Sequence, residues 1–117
     1  MPYTVTKTFS FEAAHSLPHL RHDHKCSRLH GHSYRFIVEV DGEPDDRGFV
    51  IDYAEISADV NPIVRKLDHQ NLNELFDFHT TAENLAKWLF DQIREKLPVS
   101  RIVFYETAST SVIYLPK

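Results

Sequence analysis

The stretch His30-Gly-His-Ser-Tyr-Arg-Phe-Ile-Val-Glu-Val40 decides the fold, because its apolar and polar residues alternate. Side chains two apart on a strand point the same way. His30, His32, Tyr34, Phe36, Val38 and Val40 therefore share one face, while Ser33, Arg35 and Glu39 lie opposite with only Ile37 apolar among them. Upstream, Val5, Phe9, Phe11, Ala13 and His15 share a parity, and Thr4, Thr6, Thr8, Ser10 and Glu12 take the other. These patterns predict two strands, near 3–15 and 31–41, each with one buried face ending in histidine. Gly31 is expected to leave room for a close approach of backbone or substrate.

If the two strands pair, His15, His30 and His32 converge on one point. A lone histidine on an apolar face is most often a core residue. Three together favour a metal, which satisfies all three buried rings at once. Three neutral protein ligands with an open fourth position describe a catalytic zinc site, not a structural one. Cys26 precedes His30 in a polar loop that also holds Lys25 and Arg28. A nearby metal or cation activates a thiol, so Cys26 reads as a proton-moving base.

At 117 residues and 42% hydrophobic content the chain makes one domain, residues 1–117, with a real core. A net charge of −4 with both signs interspersed gives no basic stripe for nucleic acid and no polybasic membrane patch. The single cysteine forms no internal disulfide, and Met1 to Val5 lacks the basic and apolar segments of a secretory signal, which predicts a cytosolic protein.

Downstream, Asp41 to Gly48 is rich in turn formers and leads into Phe49-Val-Ile51. Asp52 with Glu55 predicts a capping box opening a helix that packs through Ile56, Val60 and Val64, with Pro62 as a kink or break. A second helix starts at Thr80-Thr-Ala-Glu83, carries Leu85, Trp88, Leu89, Ile93 and Leu97, and stops at Pro98. Strands around 102–107 and 111–115 close the chain. The predicted fold is α+β, in the order ββααββ: a four-stranded antiparallel sheet with two helices on one face. Its two long edges predict a homo-oligomer.

Phe11-Glu-Ala-Ala-His15, Cys26-Ser-Arg-Leu-His30-Gly-His32, Leu67-Asp-His69, Thr81-Ala-Glu83-Asn-Leu-Ala-Lys-Trp88 and Glu106-Thr107 together resemble the 6-pyruvoyl-tetrahydropterin synthase family, nearly end to end. The three residues between Cys26 and His30 resemble its queuosine-biosynthesis branch. Thr80 departs from the Pro common in relatives, which bears on local loop shape. The resemblance implies a tunnelling fold (T-fold), in which sheets assemble into a barrel and two trimers stack as a hexamer with active sites at subunit boundaries. It also implies a zinc-dependent lyase that converts 7,8-dihydroneopterin triphosphate to 6-carboxy-5,6,7,8-tetrahydropterin, releasing acetaldehyde and triphosphate. The alternatives are formation of 6-pyruvoyl-tetrahydropterin, or a zinc- and pterin-binding module without catalysis.

On that resemblance His69 is the second acid/base residue and Asp68 its partner, a pairing that requires a turn between them. Glu106 shares parity with Ile102 and Phe104, so its carboxylate is buried and needs a counterpart. The ring NH and 2-amino group of a pterin supply two parallel donors. Thr107 and Thr81 supplement this grip as a family expectation. Lys25, Arg28 and Arg21 are candidate counter-charges for the triphosphate. His19, His22, His24 and His79 read as loop histidines.

Overall fold

The computed structural model of the chain describes residues 1–116. Strands β1 (Tyr3–His15) and β2 (His30–Gly42) are 13 residues each and pair antiparallel along their whole length. Their register sets Phe9 opposite Phe36 and Phe11 opposite Tyr34. Both pairs stack, with ring centroids 5.5 and 4.9 Å apart, and such cross-strand aromatics contribute about 0.5–1.5 kcal/mol each beyond their burial. The aromatic row ends at Tyr34, whose ring meets His15 and His32 edge-on.

The helices are α1 (Tyr53–Leu67), the single turn α2 (Leu72–Leu75) and α3 (Ala82–Arg94). Helix α1 packs on β1, and α3 packs on β4 (Arg101–Tyr105) and β5 (Ser111–Tyr114). Side chains at helical spacing, Ile56, Val60, Ile63 and Leu67 on α1 and Leu85, Leu89 and Ile93 on α3, bury against Phe36, Val38, Ile102 and Phe104 of the sheet. Burying each such side chain fully stabilises by about 1.5–3 kcal/mol. No helix among the described residues is long and apolar enough to cross a membrane.

The α+β class holds, but the element order differs from the predicted ββααββ. The sheet has five strands in the order β3-β1-β2-β4-β5, and β3 (Gln70–Asn71) lies parallel to Ala13 and Ala14 of β1. The sheet is therefore mixed, and the described residues form three α-helices. Two residues are too few for an alternation to be read, and α2 is a single turn. Pro62 sits inside α1 without dividing it. Asp52 caps α1 by accepting from the Ala54 N–H, not from Glu55 as a capping box requires. Ile63 is more deeply buried than the expected Val64, and α3 ends at Arg94, short of Leu97. The backbone is not crowded at Gly31: a Cβ there would meet its nearest neighbour at 3.6 Å. It is crowded at Gly42, where a Cβ would come within 2.7 Å of Val50.

Candidate metal centre and surrounding clefts

The antiparallel register sets His15 directly across from His30, and His32 follows on the same face of β2. The three ring centroids lie 4.6, 5.1 and 4.8 Å apart, and one nitrogen from each ring falls within 4.8 Å of the others.

For two of the rings the bond on the outer side fixes which nitrogen faces inward. His15 Nδ1 lies 2.8 Å from the Thr80 carbonyl oxygen and 3.1 Å from its hydroxyl. A carbonyl only accepts, so Nδ1 carries the proton and Nε2 holds a free lone pair. His30 Nδ1 donates in the same way to the Arg28 carbonyl at 2.8 Å. The Nε2 atoms of His15 and His32 are buried without a hydrogen-bond partner. Two buried nitrogens without partners beside a third imidazole, with the His15 and His30 rings oriented from outside by carbonyls, fit a metal ion. Burial pushes His15 down to a pKa of about 4, helped by the neighbouring imidazoles and opposed by the Thr80 carbonyl. His32 is also lowered, chiefly by burial and against the pull of Glu106. Neutral imidazoles are the form that ligates.

Several backbone devices hold this end of the hairpin. The Asn73 side chain accepts from Ser16 N–H and donates to Ser16 C=O, extending the bonding of β1 past His15. Thr81 caps α3 through its hydroxyl to Asn84 N–H, which sets Thr80, fully buried, against His15. Sequence reading missed both Thr80 and Asn73. A Thr-Thr pair at a helix start signals a cap, but nothing in the spacing ties it to a histidine 65 residues away.

Cys26 lies half-buried in a 3-10 turn, Lys25–Ser27, capped by His24 and tied to Leu17 through a backbone bond. It lines a cleft of about 350 Å³ with Lys25, Arg28, His30 and His32. Arg21 is turned to Asp23 and lines a separate concavity.

Asp68 Oδ2 lies 2.9 Å from His69 Nδ1. The turn this pairing requires is present, since His69 adopts φ 59°. Both residues are moored to β1: Asp68 accepts from Glu12 N–H, and His69 N–H donates to Glu12 C=O. The Glu12 amide, then His69, hold the Asp68 carboxyl below the usual carboxylate range. The His69 side chain is 77% exposed and lines a second cleft, of about 510 Å³, with Glu12, Gly31, His32 and Asn71. Within one chain Cys26 and His69 thus line different clefts, with His32 common to both.

Glu106 is one residue beyond β4, not within the expected strand. Its Oε2 is 3.8 Å from His15 Nε2 and its Oε1 is 4.0 Å from His32 Nε2. The Thr107 hydroxyl is engaged with Thr110 and Ser109 in the following turn, and that of Thr81 with its helix.

Residues 4–117 match the family model for 6-pyruvoyl tetrahydropterin synthase. A protein of Synechocystis sp. named 6-carboxy-5,6,7,8-tetrahydropterin synthase is 40% identical over 100 residues, covering 80% of this chain and 76% of that protein. A Pyrococcus furiosus protein named dihydroneopterin monophosphate aldolase is 39% identical over 89 residues, covering 76% and 73%. Among solved structures, 6-pyruvoyl tetrahydropterin synthase of Caenorhabditis elegans superposes with a TM-score of 0.89 at 26% identity, covering 98% of this chain and 96% of that one.

Proposed function

Because the chain belongs to the 6-pyruvoyl tetrahydropterin synthase family, we propose that it is a zinc-dependent lyase of queuosine biosynthesis. It converts 7,8-dihydroneopterin triphosphate to 6-carboxy-5,6,7,8-tetrahydropterin, acetaldehyde and triphosphate in the cytoplasm. The observation that carries this reading is the convergence of inward-facing imidazole nitrogens beside the carboxylate of Glu106.

His15, His30 and His32 hold the zinc, which when bound supplies Lewis acidity toward the side-chain oxygens of the substrate. Thr80 and Arg28 keep two of the rings in the ligating tautomer. Cys26, in the cleft beside His30 and His32, takes the side-chain proton, and the cations of Lys25 and Arg28 in the same cleft favour its thiolate and attract the triphosphate. Asp68, an ionised carboxylate, accepts from His69 Nδ1–H and leaves Nε2 to exchange the second proton. Glu106 accepts from the ring NH and 2-amino group of the pterin. Thr81 and Thr107 contribute through backbone groups, since their hydroxyls are used within the chain.

The separation of Cys26 and His69 into two clefts favours an assembled site, in which His69 of one protomer faces Cys26 of another. Among the described residues, Tyr3 to Phe11 of β1 have β2 on one side only, since the Glu12 backbone is taken by Asp68 and His69, and this leaves a strand edge for a second sheet to extend. A barrel of three sheets, doubled to a hexamer, uses that edge.

Calorimetric titration of a pterin into wild type and Glu106→Gln tests the reading. Glutamine puts a donor where the ring needs an acceptor, so affinity falls by about 2–4 kcal/mol. Equal affinities would make Glu106 a structural carboxylate and remove the pterin from this site.

A further inference from the structure

Glu106 faces His15 in an arrangement that is repulsive unless something joins them. His15 Nε2 is a lone-pair acceptor because its Nδ1 proton is committed to the Thr80 carbonyl, and a carboxylate only accepts. Yet Glu106 Oε2 stands 3.8 Å from that nitrogen, and Oε1 stands 4.0 Å from His32 Nε2. Both distances are too long for a hydrogen bond, and neither nitrogen has another partner. They are also shorter than the 4.8 Å within which the three imidazole nitrogens lie of one another. Glu106 thus borders the three-histidine cluster at two of its nitrogens, one carboxylate oxygen facing each. Four ligand atoms around a tetrahedral zinc stand about 3.3–3.5 Å apart. At 3.8 and 4.0 Å from two of the imidazole nitrogens, Glu106 is the carboxylate nearest the open fourth position, and it reaches that position as the histidines draw together around an ion. Its place one residue past β4, beside the turn that begins at Thr107, leaves its side chain free of strand packing.

We propose that Glu106 is the metal's exchangeable fourth ligand in the substrate-free protein, and that the pterin edge draws it off. A carboxylate on the metal cannot at the same time accept the paired donors of the ring, so the two engagements exclude each other. Recognition of the ring therefore opens the coordination position that the substrate side chain needs. The exchange rests on the pterin reading above; the ligation does not.

Cobalt(II), whose visible absorption reports the number and kind of its ligands, is the probe. It is added to metal-free wild type, Glu106→Gln and Glu106→Asp, and affinity is measured by competition with a chelator. Glu106→Gln should bind Co²⁺ at least about tenfold more weakly, with an altered spectrum as water takes the fourth corner. Glu106→Asp keeps the charge but falls one methylene short, so it should resemble Glu106→Gln. Adding a pterin that lacks a 6-side chain should move the wild-type spectrum toward that of Glu106→Gln and leave the variant's unchanged. Identical Co²⁺ affinity and spectrum in wild type and Glu106→Gln, or an Asp variant indistinguishable from wild type, would overturn the ligation. Pterin binding seen by calorimetry with no spectral change would overturn the exchange. Failure of the pterin to bind at all would overturn the exchange together with the pterin reading, while a difference between wild type and Glu106→Gln would still stand for ligation.

Discussion

His15 is 1% exposed, and its ring is held by Thr80 on one side and turned toward the metal position on the other. Its pKa of about 4 in the folded chain against 6.5 when unfolded gives the metal-free protein a defined pH response. Between those values the unfolded chain binds a proton that the native chain refuses. The contribution is therefore complete above pH 6.5 and is lost as pH falls toward 4, amounting to about 3 kcal/mol at the bottom of the window. Urea midpoints of metal-free protein across this range should show the fall, and His15→Gln should lack that component; a variant with the same slope as wild type would contradict it. Cys26 differs in kind, since it shares the cleft of His30 and His32 without joining their cluster. Cys26→Ala should keep its zinc and its pterin affinity while turnover falls by about 10²-fold or more. Loss of zinc from this variant, or normal turnover, would show that the thiol has another role.

At the scale of elements, the long hairpin was legible because its thirteen-residue strands carry a full alternation. The same alternation aligned three histidines on one face before any register was known. The two-residue β3 and the four-residue α2 were not legible, because neither is long enough to show a period. They nonetheless position the site. Strand β3 follows directly on His69 and lies on Ala13 and Ala14, next to His15, while α2 brings Asn73 to the backbone of Ser16. Asn73→Ala would leave the N–H and C=O of Ser16 without these partners in a half-buried place. That should cost about 1–3 kcal/mol of stability by chemical denaturation and weaken metal binding through His15; an unchanged denaturation midpoint would show that water replaces the amide. Parity predicted a buried Glu106 carboxylate; the residue does turn toward His15 and His32 but is 28% exposed, because β4 stops before it. Parity could not show that a residue beyond the strand end meets the histidines, because that depends on where β4 stops.

For the whole molecule, the sheet is open. Tyr3 to Phe11 of β1 and the outer side of β5 have no strand beside them among the described residues, and Ile113 and Leu115 are exposed near the second of these edges. The two clefts that meet at His32 hold the thiol and the Asp68–His69 pair apart within one chain. On the proposed reading, assembly unites them, and chemistry follows from proton transfer on either side of a substrate held by the metal and Glu106. The most direct test is to incubate zinc-loaded protein with 7,8-dihydroneopterin triphosphate and identify the products by mass spectrometry, together with an assay for volatile aldehyde. The account predicts 6-carboxy-5,6,7,8-tetrahydropterin, triphosphate and one acetaldehyde per pterin, all absent when the metal is removed. Triphosphate release without acetaldehyde, or the same products from metal-free protein, would contradict it.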